Sequence, residues 1–282
     1  MTQPFALNIR LEKDAGYALA ETLGFDGISE ALAVSIFDDG VNHVIVQALY
    51  EREEDAQTAR QRAGYPNQGT IEKTPDEDWV GLSQSGLSPI EAGRFYVHGS
   101  HDTPPENAKI PILVDAGQAF GTGHHGTTKD CLQMLDELET TGFNPKTILD
   151  LGTGAGILAI AAAKLFPEAT ILATDIDAVA VDVAQQNADL NSVHYDTLVA
   201  DGFNTPGLQG QTFDLVIANI LAGPLRGLAP EIEAAMAPQG RAILSGILDE
   251  QADWVANAFE ATRLDIQKRP SLEGWTSLFA AK

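Results

Sequence analysis

Four stretches of the 282-residue chain place chemically useful side chains where a backbone could present them to a ligand. In Thr147–Gly156, TILDLGTGAG, an apolar run passes through Asp150 and Leu151 into Gly152, Gly154 and Gly156, and ILAIAAAKLF follows. Strand, glycine turn and helix in that order form a loop whose backbone can turn sharply and approach a ligand closely, which a side chain would prevent. Three glycines also make a plain tight turn, so the neighbouring elements must decide. The spacing is G-x-G-x-G, not the G-x-G-x-x-G of dinucleotide sites, which argues against hydride transfer. About twenty residues on, ILATDID ends an apparent strand at Asp175, where an acid can accept the protons of both ribose hydroxyls. Asp177 is read as the cap of the next helix. FDLVIANILAGP brings Asn219 to the carboxyl end of a third strand, and Ala119–Thr128, AFGTGHHGTT, leads into KDCLQMLDEL with Thr127 and Thr128 able to cap that helix or offer hydroxyls. His124 and His125 are adjacent, so their side chains diverge, and no nearby cysteine or carboxylate set completes a metal site; none is expected.

These residues need a parallel sheet behind them. After Pro111 the sequence alternates continuous apolar runs with helical stretches: TILDLG, ILAIAAAKLF, TILATDI, VAVDVAQQNADLN and FDLVIANI. That pattern predicts an α/β, doubly wound, Rossmann-like sheet over residues 111–282, with ligands at the strands' carboxyl ends. Residues 1–65 read differently. FALNIRL, EALAVSIF and NHVIVQALY suit strands, Asp38-Asp39-Gly40 suits a hairpin between the last two, DAGYALAETLG suits a helix closed by Gly24, and EREEDAQTARQRAG suits a polar helix. The β-α-β-β-α order predicts a small α+β, ferredoxin-like domain. Residues 66–110, rich in Pro, Gly and Ser and weakly periodic, with short strand-like runs such as RFYVHGS, are expected to be linker and connecting structure.

Composition limits the function classes. At 44% hydrophobic and 20% charged residues the chain has the balance of a globular protein. No basic segment opens onto an apolar run at the N-terminus and no eighteen-residue apolar stretch occurs, so a soluble, cytoplasmic protein is expected. One cysteine, Cys131, excludes a disulfide framework and a cysteine zinc cluster. A net charge of −23 repels phosphate backbones, so direct nucleic-acid binding is not expected, whereas a basic protein partner would be attracted.

The G-x-G-x-G turn resembles motif I of class I methyltransferases, where the methionine part of the cofactor lies by the loop. Taken with AFGTGHHGTT, TDID and ANILAGPLRGLAP, it makes residues 110–280 resemble the bacterial ribosomal protein L11 methyltransferase family, PrmA. DEDW and GRFYV resemble that family's interdomain region. The resemblance implies a class I methyltransferase fold behind a substrate-recognition domain, with S-adenosylmethionine as cofactor. It further implies methylation of lysine side chains and the α-amine of a large-subunit ribosomal protein, and a monomer is expected. It places the family's cofactor contacts on Thr128, Gly152, Asp175 and Asn219, and Gly154 lies in the same turn. Asp201, in Ala200–Phe203, stands where such enzymes contact adenine, although Asp-Gly is also an ordinary turn. Asn219 is the expected catalytic residue: in amino-methylating relatives an Asn or Asp before Pro-Pro-aromatic holds the target nitrogen. Here Ile220, Leu221 and Ala222 replace that segment, so a flat base would lose its stacking platform and an aliphatic amine fits better. Gly126 stands where many members carry Pro. The alternative is a class I methyltransferase acting on another protein or on a small-molecule amine.

Overall fold

The computed structural model describes residues 4–25, 31, 33–39, 42–73, 89–100, 102–106, 108–114 and 126–282. Backbone contacts divide the chain into two compact units, Met1–Trp79 and Val80–Lys282.

In the first unit, strands β1 (Phe5–Glu12), β2 (Ala33–Asp38), β3 (His43–Tyr50) and β4 (Thr70–Lys73) form an antiparallel sheet in the order β2-β3-β1-β4. Helices α1 (Lys13–Phe25) and α2 (Glu53–Arg62) pack on it. Alternate strand residues Leu7 and Ile9, then Val44, Val46, Ala48 and Tyr50, are buried against Leu19, Leu23, Ala56 and Ala59. This period-two burial fixes which face of each strand is covered. The β-α-β-β-α-β succession with its two long strands at the centre is a ferredoxin-like sandwich. Helix α1 runs one residue past Gly24, and Gly40 of the expected hairpin lies outside the described residues.

Residues 66–110, expected to be connecting structure, instead hold regular elements. Strand β4 pairs with β1, while β5 (Ile90–Ala92), β6 (Phe95–His98) and β7 (Ile110–Leu113) form a three-stranded sheet. Strand β6 lies within the strand-like run RFYVHGS, whereas β4 and β5, of four and three residues, are too short for an alternating pattern to show in sequence.

The second unit is built on a seven-stranded sheet in the order β10-β9-β8-β11-β12-β14-β13. Its strands are β8 (Thr147–Leu151), β9 (Thr170–Asp175), β10 (Asp196–Val199), β11 (Phe213–Asn219), β12 (Met236–Leu248), β13 (Asp265–Lys268) and β14 (Trp275–Ala281). Strands β8 to β12 run parallel to one another, and β14 is antiparallel to β12 and β13. One face is covered by α3 (Gly126–Thr140), α4 (Ile157–Leu165) and α5 (Ala178–Leu190), whose apolar residues bury Ile148, Ile171, Leu215, Ile217 and Ile243. The other is covered by α6 (Ala222–Gly227), α7 (Ala229–Ala235) and α8 (Ala252–Glu260), over Leu149, Val216, Ala218, Ala242 and Leu244. The central strands β8 and β11 are therefore apolar almost throughout, because both of their faces are covered, as the sequence predicts. Helix α4, apolar all round in sequence, is buried from Ile157 to Ala162. Among the described residues no helix is long and apolar enough to cross a membrane.

Gly156 lets α4 start close against α5. It has φ +84°, and a Cβ there would lie 2.5 Å from the Tyr195 hydroxyl and 3.1 Å from Ala184. A Gly156→Ala variant is expected to lose about 2–4 kcal/mol, the sum of a left-handed alanine and an overpacked contact. Urea denaturation measures this, and a loss below about 1 kcal/mol would show that the contact relaxes freely.

Candidate functional site

The site begins with a row of paired residues. In the parallel register, Leu151 of β8 stands opposite Thr174 of β9 and Ala218 of β11. The next residue along each strand is Gly152, Asp175 and Asn219, so three of the sequence-predicted residues leave the sheet together at its carboxyl edge. The strand order reverses direction between β8 and β11, and such a switch point opens a crevice for a ligand. The Ala200 N–H donates to the Asp175 carbonyl at 2.8 Å, which places exposed Asp201 on the same edge.

The glycine turn is held from below and from the side. Gly152, Gly154 and Gly156 all have positive φ, at +74°, +54° and +84°, conformations that other residues adopt only at a cost. The N–H groups of Gly152 and Thr153 both donate to the Thr174 carbonyl at 2.8 Å. A Cβ on Gly152 would overlap Ile220, the residue after Asn219. Beneath the turn, Asp150 is 1% exposed. Its Oδ2 accepts the Thr153 hydroxyl at 2.6 Å and the Ala159 N–H at 3.1 Å, joining the turn to the first helical residues of α4. Burial pushes the Asp150 carboxyl up to about 6, and the Asp175 charge adds to this against the two hydrogen bonds.

Asp175 is pre-oriented. Its Oδ2 accepts the Gly154 N–H at 2.9 Å and its Oδ1 the Asp177 N–H at 3.0 Å, leaving further lone pairs on both oxygens for outside donors. Asp177 caps α5, its side chain accepting the Val179 N–H at 2.8 Å, as its sequence position suggests. Between the two acids Ile176 is 68% exposed, an apolar side chain at a polar edge that the sequence reading did not single out. The signal was there in the apolar residue enclosed by two acids in TDID.

Thr128 and Asn219, 91 residues apart, meet directly: the Asn219 Nδ2 donates to the Thr128 hydroxyl at 3.1 Å. Donation from Nδ2 leaves the Asn219 carbonyl oxygen to accept from a ligand. Thr127 and Thr128, at 5% and 6% exposure, are packed into the first turn of α3. Gly126 begins that turn, and a Cβ there would stand 2.5 Å from the Leu272 carbonyl, so no side chain fits without a shift. His124 and His125 lie outside the described residues. Among the described residues no cluster of three or more metal-ligating side chains occurs.

The arrangement thus joins a glycine turn with free approach, a carboxylate aimed outward, an exposed apolar side chain and an amide oxygen, all on one sheet edge. It can hold a nucleoside by its ribose and one face of its base, and orient a polar hydrogen donor beside it.

Comparison with known proteins finds one family across most of the chain. The family described as ribosomal protein L11 methyltransferase (PrmA) matches residues 26–282. A ribosomal protein L11 methyltransferase of Brucella suis is 46% identical over 257 residues, 90% of this chain and 89% of that protein. One from Rhodopseudomonas palustris is 48% identical over 218 residues, 76% of this chain and 73% of that protein. The crystal structure of a ribosomal protein L11 methylase from Lactobacillus delbrueckii subsp. bulgaricus superposes with a TM-score of 0.61 at 30% identity, covering 70% of this chain and 99% of that one.

Asp150 supplies a pH test. Its carboxyl binds a proton more tightly in the folded than in the unfolded chain, about 6 against an ordinary 3.8. This stabilising contribution is fully present below about pH 4 and is lost as pH rises through about 6, a change on the order of 2–3 kcal/mol. Thermal unfolding followed from pH 4 to 7 should show this decline in the wild type and not in Asp150→Asn. Parallel curves for the two proteins would remove Asp150 as its source.

Proposed function

The chain belongs to the ribosomal protein L11 methyltransferase (PrmA) family, and we infer from this that it is a class I methyltransferase of ribosomal protein L11 that uses S-adenosylmethionine. The methyl acceptors are lysine side chains and the α-amine of that protein. The first compact unit, which extends past the expected residue 65 to Trp79 because β4 completes its sheet, serves as the substrate-recognition domain. The enzyme acts as a cytoplasmic monomer that needs no metal and makes no direct nucleic-acid contact. The observation that carries the reading is the shared edge of Gly152, Asp175 and Asn219 beyond one cross-strand row.

The residues fit the donor. Gly152 and Gly154 leave the turn open to close approach, with Gly152 barred from carrying a side chain by Ile220. Asp175, held by two backbone N–H groups, would accept the ribose hydroxyls. Ile176 offers an apolar surface to one face of adenine, and Asp201, one residue beyond Ala200, offers a carboxylate to its exocyclic amine. Thr128 would line the methionine end beside Asn219. When bound, S-adenosylmethionine supplies a methyl carbon made electrophilic by its sulfonium.

The protein's task is then alignment. The Asn219 carbonyl oxygen accepts an N–H of the incoming neutral amine and turns its lone pair toward the reacting carbon. The Thr128 hydroxyl holds the amide in that orientation. Positioning of this kind lowers the barrier by removing orientational freedom before the reaction. Ile220 carries no ring to stack a flat base, which favours a flexible aliphatic amine. A net charge of −23 draws in a basic substrate protein.

Two measurements test this. Incubation with labelled S-adenosylmethionine and undermethylated ribosomal proteins, followed by mass mapping, should label lysines and the α-amine of ribosomal protein L11; label confined to another protein or a small amine would establish the alternative. Asn219→Ala should lower kcat by about a hundredfold at saturating donor, the loss of an oriented hydrogen bond in the transition state. Asp175→Ala should act mainly on the donor's KM. Full turnover by Asn219→Ala would remove its catalytic role.

A further inference from the structure

Helix α3 carries Thr128 at its first turn and is acidic along its length. Four of its carboxylates are engaged by two arginines. Arg94, at the β5–β6 turn, pairs with Asp136 and Glu139 and so ties the helix to the three-stranded sheet. Arg269, after β13, reaches the other flank. Its guanidinium donates to both oxygens of Glu137, at 3.0 and 2.9 Å, and its Nη2 lies 3.5 Å from Asp130 Oδ1. Three residues on, the Leu272 carbonyl fills the space where a Cβ of Gly126 would be.

The two arginines differ in what stands behind them. The Arg269 N–H donates to the Ser277 carbonyl of β14 at 2.9 Å. The Ser277 hydroxyl bonds that of Ser245 on β12 at 2.8 Å, and Ser245 stands opposite Asn219 in the β11–β12 register. Asn219 in turn donates to Thr128 on α3. A closed circuit results: Asn219, the sheet, Arg269, α3, Thr128 and back to Asn219. Arg94 is outside it.

The Asp130 pair is poorly suited to adding stability. Asp130 is 5% exposed, and its Oδ2 and the Arg269 Nε have no hydrogen-bond partner among the described residues. Burying a carboxylate whose second oxygen has no partner returns little of the desolvation cost. What the pair does provide is a fixed distance between β14 and the N-terminal half of α3.

We propose that Arg269 is a positioning residue for methyl transfer, holding α3 where Thr128 meets Asn219. This rests on the reading of those two residues as the donor's neighbours. Its test compares Arg269→Met, Arg269→Lys and Arg94→Met, each well below its unfolding temperature, by calorimetry with S-adenosylmethionine and by the kcat and KM of methyl transfer. Both methionine variants should lower Tm. Arg269→Met should weaken donor binding and raise the donor's KM by about tenfold, the scale of one hydrogen bond. Arg94→Met should change either by less than about twofold. Arg269→Lys keeps the charge but not the fork that spans two carboxylates, so it should recover part of the loss. Should Arg269→Met fail to fold, Arg269→Lys against Arg94→Met decides the same question. Equal donor affinity in the Arg269 and Arg94 variants overturns the proposal. A wild type that binds no donor overturns the site reading itself, and the clamp with it, before any variant is compared.

Discussion

Parallel pairing of β8 with β9 on one side and β11 on the other is the constraint from which the site follows. Because each strand advances through the sheet in step with its neighbours, the residues just past Leu151, Thr174 and Ala218 must emerge side by side. A slip of one residue in any of these pairings would exchange the faces of that strand, putting Val216 and Ala218 where Leu215 and Ile217 now pack. The two apolar layers therefore do more than stabilise the fold. They fix the register, and the register sets where a glycine, a carboxylate and an amide meet.

The same edge concentrates conformations that are costly elsewhere. Three glycines with positive φ in five residues, a carboxylate buried beneath them and a helix without a charged first turn all belong to one structure. Asp150 bridges the Thr153 hydroxyl and the Ala159 N–H, so the turn and the helix move as one body. Its burial is unfavourable for the charge, and a more stable apolar substitute would lose that bridge. Methyl transfer from an activated donor asks little acid or base chemistry of a protein and much geometric order, which is where this structure concentrates its constraints.

Helix α3 makes the site composite. Asn219 comes from a central strand, while Thr128 comes from a helix that enters the unit ahead of that sheet in sequence. At that contact α3 is seated with the Leu272 carbonyl against the glycine at its start and with ion pairs along its flanks. Glycine at position 126 is accounted for by the Leu272 carbonyl, which stands 2.5 Å from where a Cβ would be.

Much of the fold was legible from local pattern. Apolar runs broken by helices announced a doubly wound sheet, the order strand, glycines, helix marked the turn, and an acid at the end of the following strand marked its partner, because periodicity and left-handed backbone act over a few residues. Between residues 66 and 110 the run RFYVHGS showed a strand, now β6, but β4 and β5 were not legible, since three or four residues cannot display a period. The exposure of Ile176, just past the end of β9, depends on how the sheet edge meets solvent and not on the local pattern alone. That Thr128 touches Asn219, and that Arg269 and Arg94 divide the carboxylates of one helix, was decided only by tertiary structure. Such contacts join residues brought together by the packing of whole elements, and no spacing along the chain encodes them.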